Sequence, residues 1–343
     1  MSTGTHLTYP HANGFHDGRL VLSRYRTGAG ATAIVVREGT GEHLVAEVAP
    51  RRDGQVRPVY PDVARHTGRV AWIWDDALYV ADEPGCAERV FTPDTLGLVT
   101  RGPGLALQDL TSISADGAHV LLMVEHGDQR TCLRFDLATG TTTELFTKPW
   151  FANHPHHSPF DESWVAFAHE GPATATPDRV WAWHDGQTRQ ILDQHEISDL
   201  PGQFVAVGHE RWLHHDLGAA VIAYGESKAG PRGLYLVYPD RPPRLVARGE
   251  RHWHCDVSRD GRWAVVDTTG PADRPGRGWQ DAGDVSDVLL IAVATGEQVR
   301  LARTRAASHP FHPHPVFTPE GDAVLFNHLD ADGTISVSRS PVP

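Results

Sequence analysis

The sequence predicts an all-β chain, a seven-bladed β-propeller formed by residues 1–343 as one domain. Three observations predict it. Seven short apolar runs recur at roughly 40–50 residues, the interval of four-stranded propeller blades. Turn pairs stand at fixed places beside them. No long amphipathic helical run interrupts a chain that holds 33 Gly and 25 Pro. The runs are R-L-V-L-S at 19–23, V-A-W-I-W at 70–74, H-V-L-L-M-V at 119–124, W-V-A-F-A at 164–168, A-A-V-I-A-Y at 219–224, W-A-V-V-D at 263–267 and A-V-L-F-N at 323–327. Each is rich in β-branched or aromatic residues and bounded by turn formers, the mark of a strand.

Each blade opens with a short strand that runs into Asp-Gly or its like, at Asp17-Gly18, Asp116-Gly117, Asp260-Gly261 and Glu320-Gly321. Asp-Gly between apolar runs signals a hairpin, so the run that follows is the second strand. A third strand comes next, as in T-C-L-R-F-D-L at 131–137 and V-L-L-I-A-V at 288–293. Thr139-Gly140 and Thr295-Gly296 then turn the chain into a polar fourth strand. The blades so bounded span 10–50, 58–101, 108–148, 153–193, 208–249, 252–303 and 312–342. The last has room for three strands only, and T-H-L-T-Y at 5–9 is a spare one. Pairing this N-terminal strand with the last blade would close the propeller and remove its free edges.

An apolar share of 40% and ten Trp exclude a mainly disordered chain. No stretch approaches the roughly 20 apolar residues of a membrane helix. The opening M-S-T-G-T-H-L-T-Y-P lacks the basic and apolar regions of a signal peptide. Three widely spaced cysteines, Cys86, Cys132 and Cys255, fit a reducing compartment, so the expected location is the cytoplasm. A net charge of −12 argues against nucleic acid or an anionic membrane as a partner. Nothing in the sequence fixes an oligomeric state.

The unusual number is 22 His. His254 stands six residues before Asp260, His314 six before Glu320 and His11 six before Asp17. His154 stands four before Ser158, as His254 does before Ser258 and His314 before Thr318, and His209 takes the equivalent place in the fifth blade. Histidines scattered over a surface would not keep register. That position begins a blade's first strand, which in a propeller lines the central channel, so these imidazoles would converge at one mouth in a polar pocket. One cluster is sharper: His309-Pro-Phe-His312-Pro-His314. His312 and His314 are two apart, on one face of an extended strand, and His309 can fold back through Pro310. With His254 from the neighbouring blade, three or four imidazoles would meet at one cation, with Zn, Mn, Fe and Ni all compatible. Histidines merely packed around prolines are the plainer alternative.

Other motifs carry less. No G-x-S-x-G, Walker loop or G-x-G-x-x-G occurs. Trp181, Trp183, Trp212 and Trp253 read as blade-core residues before sugar platforms. The polar run R-P-G-R-G-W-Q-D-A-G-D at 274–284 reads as a loop over one mouth.

The blade pattern is similar to TolB-type propeller repeats, a likeness of fold alone. Four segments go further: H-P-H-H-S-P-F-D-E-S-W-V-A-F-A-H-E-G-P at 154–172, D-R-V-W at 178–181, G-H-E-R-W at 208–212 and H-P-H-P-V-F-T-P-E-G-D-A-V-L-F at 312–326. Together they resemble the oligogalacturonate lyase family of seven-bladed, metal-dependent enzymes that cleave pectin fragments. The resemblance implies a divalent cation, usually manganese, on three histidines and a glutamine. Those positions match His254, His312 and His314, with His309 where the glutamine would stand. It further implies His209 as the base and Arg179 as the arginine of the site. Ala173 departs from the aromatic that usually follows H-E-G-P.

The implied activity is a carbon–oxygen lyase cleaving short acidic uronate oligosaccharides by β-elimination. The residue types suit it: a cation on the uronate carboxylate acidifies the C5 proton, a neutral histidine removes that proton, and an arginine pairs with an anionic oxygen. His154 and His11 would then hydrogen-bond substrate hydroxyls or the next carboxylate. The alternatives are a lyase for another uronate linkage, such as rhamnose–glucuronate, and a propeller that binds glycans or partners without catalysis.

Overall fold

A computed structural model describes residues 3–92, 105–268, 285–307 and 311–343. Seven antiparallel sheets follow one another along the chain, giving the all-β, seven-bladed propeller fold. The second strands of the seven sheets are Arg19–Arg26, Val70–Trp74, His119–His126, Val165–His169, Ala219–Ala223, Trp263–Thr268 and Ala323–Leu329. They are the seven apolar runs. Val70–Trp74 and Ala219–Ala223 are buried at every residue, because a central strand is covered on both faces and so reads as a continuous apolar stretch. Among the described residues the one helical segment is the 3-10 turn Ala173–Ala175, and no helix is long and apolar enough to cross a membrane.

The chain divides into two compact units. The first comprises Met1–His157, Glu162–His169 and Trp183–Thr188; the second comprises Ser158–Asp161, Glu170–Ala182 and Arg189–Pro343. In the first unit, Ile34, Val36, Val63, Trp72 and Trp74 form one apolar cluster, and Ile73, Leu78, Ile113, Leu122 and Phe135 form another. In the second, Ile222, Leu234, Leu236, Val266 and Ile291 pack with Trp253. Burying each such side chain is worth about 1.5–3 kcal/mol.

Two expectations need correction. The N-terminal strand, Thr3–Leu7, does not complete the last blade. It pairs with Arg26–Leu22 of the first blade, and Phe15–His16 pairs further along the same partner, at Leu20–Arg19. The first blade's inner strand therefore comes in two pieces, parted near Pro10, which has no N–H to give a ladder. The third sheet repeats the device: Leu105–Leu107 and Ser112–Ile113 both pair with His119–His126. The seventh sheet has three described strands.

The Asp-Gly pairs are also of two kinds. Asp17 and Gly18 have φ of 46° and 73° and join His16 directly to Arg19, a two-residue turn with both residues left-handed. The other three sit in four-residue loops closed by a hydroxyl. Ser258 accepts the Trp263 N–H on its side-chain oxygen at 3.0 Å, as Ser114 does from His119 at 3.0 Å and Thr318 from Ala323 at 3.2 Å.

Candidate active site

The histidine register has a backbone cause. In the fourth, fifth and sixth sheets the inner strand slips register between Asn153 and His156, between Gly208 and Arg211, and between His252 and Cys255. His154, His209 and His254 lie inside those slips. His154, His209 and His314 have φ of 57°, 50° and 44°, a left-handed conformation that histidine adopts more readily than β-branched residues do. A bulge turns a side chain out of the strand's alternation, and each such residue costs of order 1–3 kcal/mol.

Within the second unit the bulges at His209 and His254, with His312 and His314 on the segment leading into Val316–Phe317, bring four imidazoles together. The ring centroid of His254 lies 4.0 Å from His209, 5.0 Å from His312 and 4.0 Å from His314. The Nε2 atoms of His254 and His314 are 3.0 Å apart, and His254, His312 and His314 can offer ring nitrogens all within 4.8 Å of one another. His254, His312 and His314 are buried. Three imidazole nitrogens in a dry site suit a first-row divalent cation. Cys255 adds no thiolate: burial holds its thiol well above the usual range, and the S–H is donated to the His209 carbonyl at 3.3 Å.

Two side chains that sequence reasoning missed fix this cluster. Asp267, at the end of the apolar run W-A-V-V-D, accepts His254 Nδ1–H at 2.7 and 2.9 Å. Its carboxylate also accepts the backbone N–H of His254 at 2.8 Å and of His314 at 3.0 Å. Burial pushes this carboxyl up to about 6, against the pull of neighbouring imidazoles and N–H donors. Asn327 donates its amide to the His312 carbonyl at 3.0 Å. A lone carboxylate inside an apolar run was the signal for Asp267, since a buried charge demands donors.

Aromatic rings wall the cluster. The Trp253 ring is 6.1 Å from His209, 6.0 Å from His254 and 6.2 Å from His312, and 4.8 Å from Tyr224. Trp253 is thus both a core residue and part of the site. Trp212 is a core residue alone, 2% exposed, while Trp181 and Trp183 are half-buried.

Arg179 is buried in the same unit, its Nη2 donating to Glu170 Oε1 at 2.5 Å and its backbone N–H to Gln194 Oε1 at 2.7 Å. Burial opposes its charge, but Glu170, Glu210 and Tyr224 outweigh that and hold the guanidinium above its ordinary value. Glu170 belongs to H-E-G-P, and its pairing with Arg179 was not foreseen. His11 and His154 lie in the first unit, ring centroids 4.5 Å apart, with His156 5.0 Å from His11 and Tyr9 5.4 Å from His154. His309 and the run 274–284 lie outside the described residues.

Fold and site define a class: a seven-bladed propeller whose inner strands present a histidine cluster suited to a divalent cation. Residues 127–343 match the model of the oligogalacturonate lyase family. An oligogalacturonate lyase of Dickeya dadantii (strain 3937) is 26% identical over 221 residues, covering 62% of this chain and 55% of that protein. The chain thus aligns with about half the length of this relative. A solved structure of an oligogalacturonate lyase in complex with manganese superposes with a TM-score of 0.77 at 18% identity, over 99% of this chain and 91% of that one. A Vibrio parahaemolyticus oligogalacturonate lyase gives 0.76 at 17% identity, over the same 99% and 91%. The chain belongs to the oligogalacturonate lyase family.

Proposed function

We propose that this protein is a cation-dependent lyase that cleaves short uronate oligosaccharides, oligogalacturonate first, by β-elimination. The observation that carries the reading is the histidine cluster itself: three buried imidazoles gathered at one point, with a fourth, His209, 4.0 Å from His254. The cation would be held by His254, His312 and His314, with His309 as the proposed fourth ligand. Manganese is the first choice, since a relative of the same fold is described in complex with it. When bound, the cation supplies charge neutralisation of the uronate carboxylate, which acidifies the neighbouring C5–H.

The chain's own residues do the rest. His209 takes the C5 proton on a ring nitrogen. The electron pair of that C–H bond becomes the C4–C5 double bond, the C4–O4 bond breaks, and the leaving oxygen keeps its pair and takes a proton from solvent water, whose hydroxide is neutralised by the proton His209 later gives up. Arg179 pairs with an anionic oxygen of the sugar, its guanidinium already oriented by Glu170. Trp253 and Tyr224 cover the imidazoles with apolar surface, which keeps water from competing for them. His11 and His154, both of the first unit, are proposed separately as hydrogen-bond donors to an acidic oligosaccharide.

We further propose that residues 1–343 work as a single propeller domain, as the 99% coverage against the manganese-bound relative supports. A cytoplasmic setting is supported by three free cysteines.

The test is a lyase assay on di- and trigalacturonate, following the ultraviolet absorbance of the new double bond. Growth of absorbance that chelator abolishes and manganese restores is the expected result. His209→Ala should abolish turnover and keep the metal; loss of both would assign His209 a structural role. No absorbance from a protein holding stoichiometric metal refutes oligogalacturonate as substrate and sends the assay to rhamnose–glucuronate linkages. No absorbance and no metal favours a binding propeller.

A further inference from the structure

We propose that Asp267 is the positioning residue of the histidine centre, a single carboxylate that sets the protein's affinity for a divalent cation without touching it. The inference rests on the metal reading above and goes beyond it to a residue outside the ligand set. Asp267 is the penultimate residue of the strand Trp263–Thr268, is 1% exposed, and follows the buried run Ala264, Val265 and Val266. A carboxylate costs several kcal/mol in such a place unless every lone pair is used. Here the donors come from two successive blades. Oδ1 accepts the His254 N–H at 2.8 Å and its Nδ1–H at 2.9 Å; Oδ2 accepts the same Nδ1–H at 2.7 Å and the His314 N–H at 3.0 Å.

Three consequences follow from those bonds. A carboxylate accepts only, so Nδ1 of His254 carries the proton and Nε2 keeps its lone pair for the cation. The backbone of His254 is held inside its bulge. The left-handed residue His314 is tied to the same carboxylate through Oδ2, and the Nε2 atoms of both rings lie 3.0 Å apart. One carboxylate therefore fixes the tautomer of one ligand and the backbone of two.

An amide cannot replace it. Asn at 267 would put its NH2 against the His314 N–H in one flip and against the His254 N–H in the other, so donor faces donor in both. Asp267→Asn in the full-length protein should weaken Mn2+ binding by about 10–100-fold, measured by titration calorimetry against a competing chelator. Asp62→Asn is the control, a buried carboxylate of the first unit that likewise accepts two backbone N–H groups, from Asn13 and Ile113. It should lower the melting temperature and leave Mn2+ affinity unchanged. A second measurement needs no variant: imidazole 15N shifts of the metal-free wild type should show His254 protonated at Nδ1 and bare at Nε2. Equal Mn2+ affinity in wild type and Asp267→Asn, or an Nε2–H tautomer for His254, overturns the role of Asp267 and leaves the metal reading standing. A wild type that binds no Mn2+ overturns both.

Discussion

Replacing Gly208 by alanine strikes the site through packing alone. A Cβ at 208 would lie 2.3 Å from the Tyr224 hydroxyl oxygen and 2.8 Å from two of its ring carbons, Cε2 and Cζ. An ordinary contact begins near 3.4 Å, so the phenol must retreat by about 1 Å, an overpacking shift. It has nowhere easy to go. Tyr224 is 5% exposed and its ring lies 4.8 Å from Trp253, itself 8% exposed. The displacement therefore passes to Trp253 and to His209, whose ring stands 6.1 Å from both aromatics. Overpacking of this kind costs about 1–3 kcal/mol, which for a chain of this length is a fall in melting temperature of about 1–4 °C. Turnover should suffer more, since a misplacement of about 1 Å at a reacting group costs on the order of 100-fold. The assays are thermal unfolding and initial rate on trigalacturonate. Gly208→Ala combined with Tyr224→Ala should be at least about 1 kcal/mol more stable than the two single losses predict, because the clash is gone. A Gly208→Ala protein of wild-type stability and rate would refute the packing chain from Gly208 to the base.

Three further outcomes can be checked on the same protein. Glu170→Ala leaves the Arg179 guanidinium buried without its shortest partner and should cost about 3 kcal/mol in urea unfolding, the low end for a broken buried pair because Glu210 is also near; Glu170→Gln should cost less. His157 is pushed down to about 3 by burial above all, with Arg65 and His156 adding to it. Between pH 6.5 and 3 the unfolded chain then takes a proton that the folded one refuses, so this residue's contribution is full above 6.5 and is lost as pH falls, by about 5 kcal/mol in all. His157→Asn keeps a group facing Ser112 Oγ, which lies 3.2 Å from His157 Nδ1, and should flatten the acid side of a stability-against-pH curve; an unchanged slope sinks the assignment. Incubation with chelator should lower the melting temperature of wild type and leave that of His254→Ala unmoved, since binding stabilises only a fold that has the site.

How much of this was legible follows from where each signal lives. The seven second strands could be read because each is covered on both faces, so Val70–Trp74 or Ala219–Ala223 carries its burial in its own letters. The histidine register could be read because the distance from histidine to loop is fixed: Cys255, Asp256 and Val257 separate His254 from Ser258, as Pro315, Val316 and Phe317 separate His314 from Thr318. The turn at Asp75-Asp76 passed unnoticed, since its left-handed φ values of 49° and 59° fall on residues other than the usual Asn-Gly. The N-terminal strand was misplaced because nothing local says that a blade's inner strand will be built from two pieces. Asp267 stands out in the sequence as a carboxylate at the end of an apolar run, but its partners do not. Its second ligand partner, His314, is 47 residues away, and only the packing of two blades brings them together.

That last case points to what gives a propeller its accuracy as a scaffold for imidazoles. Within each unit, buried aspartates tie inner strands of successive blades to one another. In the first, Asp62 accepts the N–H of Asn13 at 2.6 Å and of Ile113 at 2.7 Å, from the blades before and after its own. In the second, Asp256 accepts Arg211 Nε–H at 3.0 Å on one oxygen and the Phe317 N–H at 2.8 Å on the other, again from both neighbours. Sheet hydrogen bonds run within a blade and cannot fix one blade's register against the next; apolar packing tolerates small slides. A carboxylate with two directed oxygens does not, because moving either strand strands a buried donor, at about 1–3 kcal/mol each. Asp256 stands two residues beyond His254, and Phe317 three beyond His314. The pin on the inner strands and the cluster of ring nitrogens are therefore parts of one short stretch of backbone, and the histidines inherit their spacing from it.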